Sequence, residues 1–391
     1  MGILNVGTSG FKPKKGILIA FGELFLKSEG VRKLFKKTLF HNIIFFLKKA
    51  EMDFKFFPFH ERIFVATTET QKALKIIKNI FGLSWFSDCL FFEKINLNDF
   101  SDFVAKNYQN WIKEKETFAI RLKNNSKESR EKIIEEIAKG IKRKVNLTKP
   151  KREIFVVAKK EGWFLYFKKR KGRGGLPAGS GGKVLSLLSG GIDSPVASFL
   201  TAKRGAENIW LHFHSFPLVS KVSIEKVKEL AQIFLNYQPR LKIYFVPFAK
   251  AQMEIKTKTS AKYRILLYRR LMLKIAEIIA QKEKCLALVS GESLGQVSSQ
   301  TLPNINIVER GLKIPVFRPL IGMDKEEIIT LAKKIKTYQI SIKPQEDCCT
   351  LFTPKHPTAE GKLEIIKKLE KELKIKKIIK ETIEKIEIIV V

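Results

Sequence analysis

Cysteine is scarce in this sequence: Cys89, Cys285, Cys348 and Cys349 are the four in 391 residues, and no CxxC pair occurs. A structural zinc or iron–sulfur site therefore has little support, and four thiols in so long a chain do not make a disulfide framework. That agrees with a reducing, cytoplasmic setting. Long apolar runs are missing too. None approaches the roughly 18–20 residues that span a bilayer, and the opening MGILNVGTSGFKPKKG lacks the zones of a secretory signal. No membrane partner is expected, because no strongly amphipathic anchor accompanies the charge. Acidic residues are in deficit, with 39 Asp and Glu against 74 Lys and Arg and a formal net charge of +35. Such a field favours a polyanion, since each neutralised phosphate releases condensed counterions. Residues 121–175 hold 19 Lys and Arg against 6 Asp and Glu, a local net of +13 (19 − 6). That concentration reads as an electrostatic footprint for nucleic acid rather than uniform surface decoration.

What is present is enough for two or three domains, each with its own core. GILIAFGELFLKS reads as a strand and turn. VRKLFKKTLFHNIIFFLKKA reads as a helix burying Val31, Leu34, Phe35, Leu39, Ile43, Phe46 and Leu47, which keep three- and four-residue spacing. DFKFFPFHERIFVATT reads as a hairpin, and a helix at about 70–80 completes a β-α-β-β-α order suited to a ferredoxin-like α+β domain. Residues 98–168 form a second α/β unit: strand ETFAIRLKNNS, helix SREKIIEEIAKGIKRK, then a hairpin turning at Glu161-Gly162. KKRKGRGGLPAGSGGK, rich in Gly and basic residues, is expected to be a linker or mobile binding loop rather than packed structure. Beyond it VLSLL, IWLHFHS, LKIYFVPF and CLALVSG alternate with helices, which predicts a parallel sheet covered on both faces. The C-terminal stretch from Ala359 reads as one Lys/Glu/Ile-rich helix with a short final strand and no evident chemistry. Expected boundaries are 1–65, 66–170 and 171–391.

The segment Ser189-Gly190-Gly191-Ile192-Asp193-Ser194 lies between an apolar strand and a helix. In open α/β sheets that junction, at the carboxyl end of a strand, is where ligands bind. Gly190 and Gly191 let the backbone approach phosphate oxygens, Ser189 and Ser194 offer hydroxyl donors, and the helix aims its N-terminal amides at the anion. Pro195 is tolerated in the first helical turn, where no donor is lost. A Walker loop would need GxxxxGK[ST]; this one has no such lysine.

The phrase resembles the PP-loop ATP pyrophosphatases, which adenylate a carbonyl oxygen and release pyrophosphate. In order, LLSGGIDSPVASFL, LHFHSFP, YRRLMLKIAE, SGESLGQVSSQT, PVFRPLIGMDKEEI and EDCCTLFTPKHP resemble the tRNA 4-thiouridine synthetase family, as does GELFLKS near the start. The resemblance implies a PP-loop (adenine nucleotide alpha hydrolase-like) parallel-sheet domain preceded by a ferredoxin-like domain and a THUMP RNA-binding domain. It implies ATP contacts at Leu187, Leu188, Ser189, Gly190, Gly191 and Ser194, with His212 and Phe213 on the adenine side. Arg269, or its neighbour Arg270, matches the nucleotide-contacting basic residue; Gly291 and Gln300 match further contacts, with Gln296 as another candidate. Asp193 would serve the phosphates through Mg²⁺, and no protein-built metal cluster is implied. Lys325 would assist the same charge, a plain surface lysine at a helix start being the alternative. Cys348 matches the cysteine that receives or resolves sulfur; Cys349 is an extra neighbour, buried or in a vicinal disulfide, while Cys89 and Cys285 suit core packing.

Some relatives carry a C-terminal rhodanese domain; here 42 residues (391 − 349), without cysteine, follow Cys349. The resemblance then implies sulfur delivered by a cysteine desulfurase, tRNA as substrate and a homodimer. Three rivals stand beside this reading: another PP-loop tRNA enzyme such as a lysidine synthetase, an RNA-binding module without catalysis, and a sulfur carrier for thiamine synthesis.

Overall fold

The computed structural model describes residues 12–23, 28–344, 352 and 358–391. Two compact units emerge, one of residues up to 32 with 43–174, the other of residues 33–42 with 175–391. Cys348 and Cys349 lie outside the described residues, as do positions 24–27 of the GELFLKS phrase.

The first unit is organised by one eight-stranded sheet. Its elements are β1 (Lys14–Phe21), the two ends of α1 (Glu29–Lys49, whose residues 33–42 are counted with the second unit), β2 (Lys55–Pro58), β3 (Arg62–Ala66), α2 (Thr70–Ile77), β4 (Leu83–Glu93), α3 (Leu97–Asn107), β5 (Phe118–Asn125), α4 (Arg130–Lys139), β6 (Arg152–Lys159), β7 (Gly162–Tyr166) and β8 (Arg170–Lys171). Strand order is β2-β3-β1-β4-β7-β6-β5, with β8 on β4. Only β5 and β6 run parallel, joined by a crossover through α4. The long β4 pairs with both β1 and β7, so the two sequence segments share a single sheet. Alternation along the strands separates two apolar faces. Helices α3 and α4 bury Phe100, Val104, Ile133 and Ile137 with Leu90, Phe92, Ile154 and Val156. The opposite face gathers Phe64, Phe91, Phe164 and Tyr166, with Phe57, Phe59, Trp85 and Phe155 packed against them.

Three expectations need correction. Helix α1 forms, yet Val31 and Leu34 are 40% and 57% exposed, and the buried stripe starts only at Leu39. Helix α3 was not anticipated, although Asn96 caps it by accepting the Asp99 amide at 2.9 Å. The Gly-rich stretch is packed rather than loose. Lys171 pairs with Trp85, the Gly174 amide donates to the Leu83 carbonyl at 2.9 Å, and the Leu176 amide donates to that of Lys203 at 2.9 Å. Leu176 and Ala178 are 7% and 4% exposed. Its backbone donors found fixed partners, which composition alone does not reveal.

The second unit is a doubly wound sheet. Its elements are β9 (Lys183–Leu187), α5 (Asp193–Lys203), β10 (Glu207–His214), α6 (Val222–Phe234), β11 (Lys242–Pro247), α7 (Ala249–Lys258), α8 (Arg264–Lys282), β12 (Ala287–Val289), α9 (Leu302–Glu309), β13 (Val316–Phe317), α10 (Lys325–Ile335), α11 (Tyr338–Ser341), α12 (Leu363–Glu372), α13 (Ile375–Ile383) and β14 (Glu387–Val390). Strand order is β13-β12-β9-β10-β11-β14, parallel except for β14, which runs antiparallel to β11. The C-terminal stretch is thus two helices, broken where Lys374 takes a left-handed φ of 51°. No helix among the described residues is long and apolar enough to cross a membrane.

A buried polar knot fixes α5 on this sheet. The Asn208 side-chain oxygen accepts from Ser186, Ser198 and Thr201 at 2.7, 3.0 and 3.1 Å, tying β9, α5 and β10 together. Ser198 also accepts the Trp210 indole N–H at 2.7 Å. Hydrogen bonds inside a dry interior carry geometry that apolar packing alone leaves loose. The beneficiary is the loop just before α5.

Candidate nucleotide site

Strand order decides where a ligand sits. From β9 the chain moves outward through β10 and β11, then returns to β9's other side to lay down β12 and β13. The loops after β9 and β12 therefore diverge and leave a crevice at the switch point. Residues 189–194 occupy the first loop. Gly190 has φ +79°, a conformation costly for any residue with a Cβ. The Ser194 hydroxyl accepts the Ser189 amide at 3.1 Å, and the Ser189 hydroxyl accepts the Gly191 amide at 3.2 Å. Helix α5 starts with no side-chain cap hydrogen bond, so no capping side chain competes with an anion for its leading amides.

The second loop meets the first at close range. A Cβ on Gly291 would lie 2.7 Å from the Ser194 amide nitrogen, so only glycine lets the end of β12 approach α5. Gln296 donates to Asp193 Oδ2 at 3.1 Å, and Lys325 Nζ lies 2.6 Å from Asp193 Oδ1. Lys325 opens α10, whose start is fixed by a capping box between Asp324 and Glu327. The Asp193 and Lys325 side chains keep 21% and 43% exposure, so the pair is open to a ligand. Arg269 reaches the same loop, binding the Ser299 carbonyl and Glu292. Arg318 pairs with Glu292 and with Glu309, and Glu292 and Arg318 were not foreseen. Their signal was one charge in the GES phrase between small residues and one in the FRPL phrase between apolar ones.

The family model for "Thiamine biosynthesis protein (ThiI)" matches residues 179–375, that for "ThiI ferredoxin-like domain" residues 16–87, and that for "THUMP domain" residues 98–168. A chain from Thermoanaerobacter sp. (strain X514) named "Probable tRNA sulfurtransferase" is 39% identical over 377 residues, covering 93% of this chain and 96% of the relative. The chain belongs to the ThiI family. Another relative so named, from Thermus thermophilus, is 49% identical over 229 residues, 59% of this chain and 56% of that one. Among solved structures, a 4-thiouridine synthetase–RNA complex with bound ATP superposes with a TM-score of 0.87 at 31% identity, covering 97% of this chain and 100% of that one. The fold is accordingly the PP-loop sheet preceded by ferredoxin-like and THUMP domains.

Within this ThiI-family site the remaining expected residues separate by burial. Leu188 and Phe213 are 2% and 7% exposed, and Phe213 packs edge-on to Phe248 at 5.3 Å. Strand β10 continues past both expected adenine-side residues, to His214. The His212 ring is 2% exposed and bonded at both nitrogens: Nδ1 lies 2.8 Å from the Leu188 carbonyl and Nε2 3.1 Å from the Ser223 hydroxyl. A carbonyl only accepts, so Nδ1 carries the proton and Nε2 accepts. Burial lowers the His212 pKa to about 4, keeping the ring neutral. Its ring is thus committed to the β9–loop junction. The Gln300 side-chain oxygen accepts the Ser293 amide at 3.3 Å, inside the second loop. Arg270, the alternative to Arg269, turns into the core at 4% exposure and forms a two-pronged pair with Glu370, at 3.0 and 3.2 Å. The C-terminal stretch, expected to carry no chemistry, packs on α8 and clamps it through Glu370.

Two cysteines can be assigned from their surroundings. Cys89 and Cys285 are buried free thiols. Burial pushes the Cys89 pKa well up and that of Cys285 to about 12. Neither supplies a thiolate, the form that carries sulfur. Among the described residues no group of three or more His, Cys, Asp or Glu could hold a metal ion.

Proposed function

We propose that this chain is an ATP-dependent tRNA sulfurtransferase that adenylates uridine 8 and replaces its O4 with sulfur, giving 4-thiouridine. The observation that carries the reading is the convergence of the 189–194 loop with Asp193, Lys325, Gln296 and Gly291 at the sheet's switch point. ATP phosphates lie against the amides at the start of α5 and the Ser189 and Ser194 hydroxyls. Lys325 and Arg269 supply positive charge for the departing pyrophosphate. One exposed carboxylate, Asp193, beside phosphate oxygens is the donor set Mg²⁺ ordinarily uses, so the residues fit that ion. When bound, Mg²⁺ neutralises charge developing on the leaving group.

Uridine O4 attacks the α-phosphorus and pyrophosphate leaves. Adenylation converts O4 into a good leaving group, which a uracil carbonyl is not. The terminal sulfur of a persulfide on Cys348 then attacks C4, AMP departs, and a thiol or the desulfurase cleaves the remaining S–S bond. The burial of Cys89 and Cys285 supports giving this step to the Cys348–Cys349 pair. The basic surface of residues 121–175 holds tRNA, two copies act as a homodimer, and a cysteine desulfurase delivers sulfur in the cytoplasm.

The test is mass spectrometry of tRNA nucleosides after incubation with ATP, Mg²⁺ and a persulfide donor, with pyrophosphate followed in parallel. Wild type yields 4-thiouridine; Lys325→Met loses pyrophosphate release and product together; Cys348→Ser keeps pyrophosphate release and loses product. Unchanged 4-thiouridine from Cys348→Ser would overturn the role given to Cys348, and a sulfur-free modified nucleoside from wild type would overturn the sulfur-transfer reading in favour of another PP-loop tRNA enzyme.

A further inference from the structure

Beyond α11 the second unit grips its chain at two places, one before Cys348 and one after Cys349. Before the pair the grip comes from α6. Lys226 and Glu229 stand three residues apart on that helix and so share a face. Both take hold of Lys343. The Lys226 ammonium donates to the Lys343 carbonyl at 2.7 Å, and Glu229 pairs with the Lys343 side chain. Lys226 is 3% exposed. A buried ammonium is costly unless acceptors meet its protons, so letting go of that carbonyl is costly too.

After the pair the grip comes from α9. Asn304 is fully buried, and its amide makes three hydrogen bonds. The nitrogen donates to the Ser298 carbonyl at 2.8 Å and to the Thr358 carbonyl at 2.9 Å; the oxygen accepts the Gly361 amide at 2.9 Å. Thr301, just before the same helix, donates its hydroxyl to the Ala359 carbonyl at 2.6 Å. Ser298 belongs to the second loop of the nucleotide site, where Arg269 binds the next carbonyl, that of Ser299. One buried amide therefore joins the nucleotide loop to the chain that follows the cysteines.

Spacing along the chain makes these grips relevant to sulfur. Cys348 follows Lys343 by five residues (348 − 343), and Thr358 follows Cys349 by nine (358 − 349). A fully extended chain covers about 3.5 Å per residue, so the pair is tethered within about 18 Å of one fixed point and about 32 Å of the other. Two tethers confine a reactive group to a smaller volume than one, and raise its effective concentration at its target.

We propose that Lys226 and Asn304 are positioning residues for sulfur transfer, fixing the two ends of the stretch that carries Cys348 and Cys349 and tying it to the nucleotide loop. The proposal rests on the sulfur-carrying role given to Cys348 above. The alternative is a set of buried polar contacts that serve stability alone.

The experiment follows single turnovers of the full chain with tRNA, ATP, Mg²⁺ and excess persulfide donor. Pyrophosphate release and 4-thiouridine appearance are read in the same samples. Loss of folded protein lowers both amplitudes and leaves the rate constants alone, whereas misplacement slows the sulfur step itself. Lys226→Met is expected to slow 4-thiouridine appearance by roughly tenfold, with pyrophosphate release within about twofold of wild type. Asn304→Ala also frees Ser298, so it is expected to slow both steps, the sulfur step by about tenfold more. Thr301→Val removes one half-buried hydroxyl with little change of shape, and carries the test if the buried variants do not fold. Its expected effect is a slowing of the sulfur step by about threefold with pyrophosphate release unaltered. Wild-type 4-thiouridine rates in the folded variants, or equal slowing of both steps by Lys226→Met, would overturn the proposal. Cys348→Ser is run beside them. If it loses product while the other variants keep wild-type rates, this inference falls and the function stands. If it keeps product, the role of Cys348 falls and this inference falls with it.

Discussion

Gly291→Ala is the sharpest perturbation of the nucleotide site. A Cβ there would lie 2.7 Å from the Ser194 nitrogen, 2.8 Å from its Cα and 2.9 Å from the Asp193 carbonyl carbon. All three are backbone atoms, so no rotamer change relieves the contact. Restoring an ordinary separation of about 3.5 Å requires the loop and the end of β12 to part by about 0.7 Å or more. Overpacking of this kind costs about 1–3 kcal/mol. The displaced atoms begin α5 and carry Asp193, and a 1 Å error in such a place costs about a hundredfold in rate. The expectation is a 10- to 100-fold fall in kcat/KM for ATP, read as tRNA-dependent pyrophosphate release, with a fall of a few degrees in Tm. Gly322→Ala is the control, because a Cβ there meets nothing within 4 Å. If Gly291→Ala turned over ATP like that control, the close approach of the two loops would not position the phosphates, and the site as described would fail.

Other outcomes follow from buried ionisable groups. Burial depresses the His212 pKa from 6.5 to about 4, so the unfolded chain binds the proton more readily. Stability should rise with pH between about 4 and 6.5, by about 3 kcal/mol, and His212→Gln should flatten that part of a urea-unfolding profile; an unaltered slope would refute the burial argument. For Glu370, burial alone would raise the pKa, yet hydrogen bonds from Arg270 and Lys274 outweigh it and leave it lowered. Its contribution is present above the ordinary carboxylate range and fades as pH falls through the lowered value. Glu370→Gln strands the Arg270 charge and should cost about 3 kcal/mol at neutral pH. Replacing both partners with apolar residues should recover part of that loss, and no recovery would contradict the pairing.

Much of the site was legible because its determinants are local. An apolar strand, a Gly-Gly turn and a helix start occupy residues 183–203, and Gly190's positive φ is a property of that turn alone. The Asp324–Glu327 capping box likewise marks the start of α10 within four residues. Legibility ended where the answer depended on distant partners. Lys325 could have been a surface lysine; the strand order carries it 132 positions back to Asp193. Arg269 and Arg270 are neighbours in sequence, yet the step of about 100° between adjacent helical residues sends them to Glu292 and Glu370 respectively.

The sequence by itself determined that a phosphate-binding loop, a strand–helix series and a concentrated basic segment lie in one chain. It did so because periodicity, propensity and charge are written residue by residue. The tertiary structure alone decided that the Gly-rich stretch packs, that the His212 ring serves the loop's backbone, and that Arg62 lies over Trp85 without an acidic partner. Those are facts about which side chains meet across strands. That depends on register and strand order, which no short window of sequence contains.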